Sequence, residues 1–317
     1  MIGKRLSITH RGCMQNKLRI EHFLMVIASL FWAFGHPAGR ILVRKVHPFQ
    51  LGAVTLASGF LGIFVFMVIT GKIKDYIKID RRDFFISLGL GVFGFFFYQI
   101  LTFSALARIP ASMNAVLVST NVVFITLLAG LFLSEKIRIV TVFGIAVAFT
   151  GVIFVTFNRG FILSKTINVL GCGFSILAAL SFSFYSVFGK KVLMRNDPLT
   201  VASLALLSGA VLLNILTAFT VGYDEIVSAG SDAFLLMIFL GLTMIGVAYP
   251  LWFACLKRVR ASQVAIYIYL TPVFAVILSM IILKESFSWL FWVGGAFILG
   301  GIIFINTVTQ SKIKERA

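Results

Sequence analysis

The sequence predicts an all-α integral membrane protein with ten transmembrane helices arranged as two inverted five-helix repeats. Three observations carry this. The 317 residues are 60% hydrophobic and 12% charged, whereas a soluble domain carries about 25% charged residues. Ten apolar runs of spanning length follow one another, and the chain repeats itself at a fixed offset of 150 residues.

The runs begin near Phe23, Phe49, Phe84, Ala111 and Ile137, then near Val169, Leu199, Phe234, Ala261 and Phe287; they are numbered helices 1 to 10. A spanning helix needs about 20 apolar residues, so ten of them leave no room for a separate water-soluble domain. Barrel strands would alternate polar and apolar residues over about 10 positions, and these runs are uninterrupted. The predicted organisation is a cytoplasmic N-terminal segment (1–20), a first repeat (21–157), a linker (158–166), a second repeat (167–307) and a cytoplasmic tail (308–317). The basic residues before helix 1 resemble the start of a signal peptide, but the spans that follow make an uncleaved first helix the better reading. Cys13, Cys172 and Cys255 are scattered without metal-ligand spacing and read as reduced or buried.

The net charge of +17 would suggest nucleic acid in a soluble protein. Here its placement decides. With a cytoplasmic N-terminus, 21 of the 28 Lys and Arg fall on the cytoplasmic side and seven opposite: Arg40, Arg44, Lys45, Arg108, and Arg159, Lys165 and Lys284. Positive-inside bias therefore puts both termini in the cytoplasm of a multi-pass cell (inner) membrane protein. The charge orients the chain and contacts anionic headgroups, and no nucleic-acid partner is implied.

The repeat is clearest from Ala105 to Glu135 against Cys255 to Glu285, where ten of 31 positions are identical, among them Arg108/Arg258, Ser112/Ser262 and Glu135/Glu285. Gly91/Gly241, Gly144/Gly294, Gly151/Gly301 and Pro48/Pro198 extend the register. Five spans per copy is an odd number, so the copies cross the membrane in opposite senses. Their loops have diverged accordingly. The loop between helices 2 and 3 carries five Lys and Arg, and its counterpart between helices 7 and 8 carries Asp224, Glu225 and Asp232. Inverted repeats are the architecture of alternating access, although a passive channel is also built this way.

On these features the chain resembles the drug/metabolite transporter superfamily, specifically the ten-helix EamA-type permeases. The resemblance covers Glu21 to Thr307 and rests on Leu133-Ser134-Glu135-Lys136 and Leu283-Lys284-Glu285-Ser286 at the ends of helices 4 and 9. It also rests on the doubled glycines, Thr271-Pro272-Val273-Phe274, and Trp32 eight residues before Arg40. The resemblance implies a transporter, typically an exporter of amino acids, other small metabolites or drugs, some relatives moving lipid-linked sugars. It also implies a central cavity lined by helices 1, 3, 4, 6, 8 and 9, with helices 5 and 10 as braces. Two departures stand out. Helix 4 has Val122 where the family has proline, which puts a kink there in doubt. His36-Pro37 replaces small residues in helix 1, and Pro37 is a candidate to open that helix instead.

No acidic residue lies inside a span, which argues against a carboxylate proton relay and a multi-carboxylate metal site; neither metal nor cofactor is implied. The substrate-pathway candidates are Trp32, His36 and Arg40 on helix 1, Tyr98 and Gln99 on helix 3, and Asn114 and Asn121 on helix 4. The second repeat adds Tyr185 on helix 6, Tyr249 and Trp252 on helix 8, and Tyr267 and Thr271 on helix 9. His36 is the one titrating side chain placed deep in the membrane. Arg40 either binds a carboxylate or phosphate or snorkels to the headgroups. Its repeat partner is Lys190, so the two cations would guard opposite mouths. The neutral, aromatic set suits zwitterionic or modestly polar organic substrates.

Pro37, Glu135, Gly144, Gly151, Pro272, Glu285, Gly294 and Gly301 read as structural. Glu135 and Glu285 would each favour the N-terminus of the helix that follows its own turn. Gly144 with Ala148, and Ala296 with Gly300, would let helices 5 and 10 approach closely. The partners implied are the lipid bilayer and a small organic substrate, with a homodimer left open. Two rivals remain. One is a facilitator or lipid-linked substrate flippase on the same scaffold. The other, a polytopic membrane enzyme, is disfavoured because His10, His22, His36 and His47 have no partner motif.

Overall fold

A computed structural model describes residues 2–156, 168–283 and 289–315. It is all-helical over these residues. In the first half α1 is Ile2–Leu42, α2 Pro48–Ile69 and α3 Arg81–Arg108; α4a (Ala111–Ser119) and α4b (Asn121–Phe132) are two halves of one rod, and α5 is Ile139–Thr156. The second half holds α6 Val169–Leu193, α7 Pro198–Thr220 and α8 Ser231–Arg258. It continues with α9a Ala261–Ala265, a 3₁₀ turn Ile266–Tyr269, α9b Leu270–Leu283 and α10 Trp289–Glu315. Eight of these rods are long and apolar enough to cross a membrane, and α5 and α10 are apolar over shorter stretches, Ile139–Phe154 and Trp289–Ile305. Ile69, Leu131, Ile139, Phe219 and Trp292 stand exposed on the outside, where hydrocarbon rather than water is their natural solvent.

Local chemistry sets the helix starts. Asp197 caps α7 by accepting from the Leu199 and Thr200 amides, and His47 with Gln50 forms a capping box at α2. Both helices then open on the repeat-matched prolines Pro48 and Pro198, whose missing N–H costs nothing at that position. Asn168 and Asp80 cap α6 and α3. The loops alternate between two ends of the bundle. The lower end, where α1 approaches the bundle, holds residues 70–82, 133–138, 194–197 and 259–260; Lys72 pairs with Asp197 and Arg258 with Glu21 across it. The upper end holds 43–47, 109–110 and 221–230, with the Gln50 amide donating to the Gly222 carbonyl.

α1 runs through Pro37 without interruption, so the expected opening there does not occur; one absent donor removes a single bond from a ladder the adjacent turns still hold. The interruption lies in α4 instead, despite Val122. The Thr120 hydroxyl donates to the Leu117 carbonyl at 2.6 Å and the Ser119 hydroxyl to the Val116 carbonyl at 2.7 Å. These local bonds compete with the helical ladder. The freed Asn121 carbonyl accepts from the Ser183 hydroxyl of α6. α9 is interrupted at the matching place by its 3₁₀ turn, followed by Pro272.

α3 and α8 each contain a π-helical turn, Val92–Phe97 and Gly241–Ile245, which overlap in repeat register. Gly91, just before the first, and Gly241, at the start of the second, lie where other helices pass too close for a side chain. A Cβ at Gly91 would lie 1.9 Å from the Ala205 carbonyl oxygen, and one at Gly241 2.4 Å from that of Thr55. The Phe93 carbonyl released by the first turn accepts from the Ser181 hydroxyl at 2.7 Å. α5 and α10 pack on each other through bare backbone. A Cβ at Gly301 would meet the Gly144 carbonyl oxygen at 2.6 Å, and one at Gly151 the Gly294 carbonyl oxygen at 2.5 Å. Ala148 belongs to this seam, but a Cβ at Gly300 would meet nothing within 4 Å, because helical spacing turns Gly300 away from a seam made by Gly294 and Gly301.

Candidate functional site

Helices α1, α3, α4, α6, α8 and α9 enclose a cavity of 40 Å³ inside the bundle. It lies where the two repeats meet and takes wall residues from both in matched pairs: Trp32/Phe182, Gln99/Tyr249, Val118/Ile268 and Asn121/Thr271 are each 150 apart. The π turns and the breaks in α4 and α9 all border it. Each interruption releases side chains from ordinary helical phase, and Tyr98 and Tyr249, just beyond the two π turns, both face the cavity.

The wall is aromatic and carries no Asp, Glu, Lys or Arg. Trp32 meets Tyr249 edge-on at 5.6 Å and Phe182 at 5.9 Å, and Tyr98 lies 5.6 Å from Phe182. Among these rings five buried polar atoms have no hydrogen-bond partner: Trp32 Nε1, His36 Nδ1, Thr102 Oγ1, Asn121 Oδ1 and Thr271 Oγ1. Each unsatisfied buried group costs about 1–3 kcal/mol. Five converging on one space form a neutral set of donors and acceptors suited to a polar organic molecule. Among the described residues no cluster of His, Cys, Asp and Glu could hold a metal ion. The volume admits a few waters at most, so a metabolite needs the walls to part.

Seven of the twelve pathway candidates line this cavity: Trp32, His36, Tyr98, Gln99, Asn121, Tyr249 and Thr271. The other five do not. Arg40 sits toward the upper end and donates to the Leu106 carbonyl. Asn114 lies beside His36 and donates to the Ser175 hydroxyl at 3.2 Å. Tyr185 stacks on Phe253 at 4.6 Å, and Trp252 contacts Trp32 and Phe182 from behind. The Tyr267 hydroxyl shares a 2.6 Å hydrogen bond with His22 near the lower end of α1. Thr102, Phe182 and Met244 also line the wall and escaped the sequence reading. Adding 150 to Trp32 would have found Phe182; Met244 has no such signal, because its counterpart is Gly94.

Glu135 requires a correction. Its carboxylate does not serve the helix after its own turn but crosses to the second repeat. It accepts from the Ala261 amide at 2.8 Å, the Ser262 amide at 3.4 Å and the Ser262 hydroxyl at 3.0 Å. It also pairs with Lys190 Nζ at 3.1 Å. The preference of a carboxylate for a helix N-terminus holds, but the N-terminus is that of α9. Burial raises the Glu135 carboxyl, and Lys190 with the donors of Ala261 and Ser262 outweighs it, leaving the pKa below its ordinary value. Glu285 lies outside the described residues. A second lower-end cluster ties Asp83 to Arg195 at 2.6 and 3.0 Å and to the Asn196 amide at 2.7 Å; this hydrogen bonding raises the Arg195 guanidinium.

A multi-helix membrane bundle built of two repeats around a neutral inter-repeat cavity defines a membrane transport protein. Comparison with known proteins gives the family. The model of the EamA-like transporter family matches residues 19–157 and again 169–307, and the chain belongs to that family. Among its relatives is an uncharacterized transporter of Archaeoglobus fulgidus, 25% identical over 89% of this chain and 97% of its own length. The Bacillus subtilis uncharacterized transporter YoaV is 25% identical over 92% and 97%. A protein of Streptantibioticus cattleyicolor named "Probable terminal-alkyne amino-acid exporter" is 26% identical over 94% and 97%. One solved crystal structure shares the fold with a TM-score of 0.75 at 19% identity, over 92% of this chain and 98% of that one.

Proposed function

We propose that this transporter exports small organic metabolites, amino acids or related compounds and drugs, by alternating access through the inter-repeat cavity. The carrying observation is the convergence of five unpartnered polar atoms inside an aromatic, uncharged wall contributed in matched pairs by both repeats. A zwitterion or polar neutral molecule satisfies such groups without requiring a fixed counter-charge. The relative named as an amino-acid exporter supports this substrate class. All ten rods span the membrane in this reading: α5, with 18 residues, reaches about 27 Å, and the family model covers both α5 and α10. The five-helix units are 21–157 and 167–307. Both termini lie in the cytoplasm, as the 21-to-seven division of Lys and Arg supports, so the lower end is cytoplasmic and the upper end external.

The test is a growth-protection screen with toxic amino-acid analogues and cationic drugs in cells over-expressing the protein. Protection against one chemical group names the substrate class. Tyr98→Ala, Asn121→Ala and Tyr249→Ala should each reduce protection about tenfold or more, the effect of about 1.4 kcal/mol or more of lost binding, at unchanged membrane abundance. Undiminished protection in all three overturns the cavity assignment.

A further inference from the structure

Glu135, Lys190 and Ser262 join parts of the molecule that alternating access must separate. Glu135 lies in the loop three residues after the first repeat's α4, Lys190 belongs to the second repeat's α6, and Ser262 lies in the first turn of its α9. All three helices also line the cavity, through Asn121, Phe182 and Ile268. Lys190 lies eight residues beyond Phe182, about 12 Å along the helix, and Ser262 six residues before Ile268. The cluster therefore lies below the cavity, at the lower end of three helices that line it.

We propose that the Glu135–Lys190–Ser262 cluster is the gate at the cavity's lower mouth, a latch between the repeats that is closed in the state described here and breaks when the cavity opens downward. This rests on the alternating-access reading above and adds the residues that control it. The chemistry suits a reversible closure. The Lys190 and Glu135 side chains keep 14% and 9% of their exposure, and Lys190 Nζ also donates to the Val259 carbonyl at 2.6 Å, so every charge is satisfied when the latch is shut. When it parts, water solvates each group, which a greasy plug cannot exploit.

The repeat supports the assignment independently. Lys190 corresponds to Arg40 and Ala261-Ser262 to Ala111-Ser112, which lie at the opposite mouth. There Arg40 is bound to Leu106, within its own repeat, whereas Lys190 reaches across to the other. A gate that closes each mouth in turn needs groups of this kind at both ends, engaged at one while parted at the other.

The test is sided labelling of a cavity cysteine. Ser119→Cys places the reporter on the wall, with Cys13 and Cys172 replaced by serine and the buried Cys255 kept. Sealed vesicles of either orientation receive a membrane-impermeant thiol reagent. Glu135→Gln and Lys190→Met should each raise labelling from the lower face about tenfold, the population shift that loss of a charge-assisted bond supports, and lower it from the upper face. Ser262→Ala, the mildest change and the one that answers if the others fail to fold, should shift it less in the same direction. The reversal Glu135→Lys with Lys190→Glu should not restore wild-type sidedness, because a cation at 135 cannot accept from the Ala261 and Ser262 donors. Unchanged sidedness in folded Glu135→Gln, Lys190→Met and Ser262→Ala overturns the gate. A shift in sidedness while Tyr249→Ala leaves transport intact upholds the gate and rejects the cavity as substrate path; the opposite pair of results rejects the gate alone.

Discussion

The two ends of the bundle are tied in different ways. At the lower end, three carboxylates with little exposure, Glu21, Asp83 and Glu135, each bind a cation from a distant helix, at 3.0, 2.6 and 3.1 Å. Among the described residues no ion pair ties the upper end, where Arg40 binds the Leu106 carbonyl, Gln50 the Gly222 carbonyl, the exposed Glu225 carboxylate the His47 amide, and the Tyr223 hydroxyl the Asn214 side chain. Side-chain pairs hold charge on both partners and are lost together when the helices part. Links with a charge on one partner at most contribute less and yield more easily. The contrast teaches that the described state is closed by specific side chains below.

Asp83→Asn should narrow this contrast most. It removes the charge that Arg195 grips with two bonds and leaves a single acceptor oxygen for Arg195 and Asn196 together, at a cost of about 1–3 kcal/mol. The melting temperature in detergent should fall by several degrees, and an unchanged value would show that the lower end is not held there. Acid titration of the wild type should give a smaller effect localised at Glu135. Its folded pKa lies below the ordinary value, so its stabilisation is complete above the unfolded value of about 4.3 and is lost as pH falls through the folded one. Melting curves should therefore show no Glu135 contribution to pH dependence between neutrality and about pH 5, and the acid loss should be reduced in Glu135→Gln. Smallest is Glu225→Gln at the upper rim. An exposed contact is worth under about 1 kcal/mol, so melting and transport should match wild type; a large loss would mean that the upper end is clamped as firmly as the lower.

Much of this architecture was legible in the sequence because a bilayer demands it. Long apolar runs give the rods, Lys and Arg counts support an orientation, and the identical register of Arg108/Arg258 and Glu135/Glu285 gives the duplication. What was not legible depends on which rods touch. Glu135 finds partners 55 and 126 residues away, and local pattern offered only its own turn. The π turns have no periodicity of their own; Gly91 and Gly241 marked them only as a matched pair. Seven pathway candidates meet in the cavity because polar residues in apolar rods must face protein, yet Tyr267 and Asn114 satisfy that demand by bonding to neighbouring helices. Polarity identified buried faces without telling cavity from seam.

The most direct test of transport through the inter-repeat cavity is flux of the substrate identified by the protection screen, measured in proteoliposomes containing wild type or the repeat-matched double variant Asn121→Ala, Thr271→Ala. The double variant, correctly inserted and equal in amount, should lose about tenfold or more of the flux as both polar wall groups disappear. Wild-type flux from that variant would contradict it.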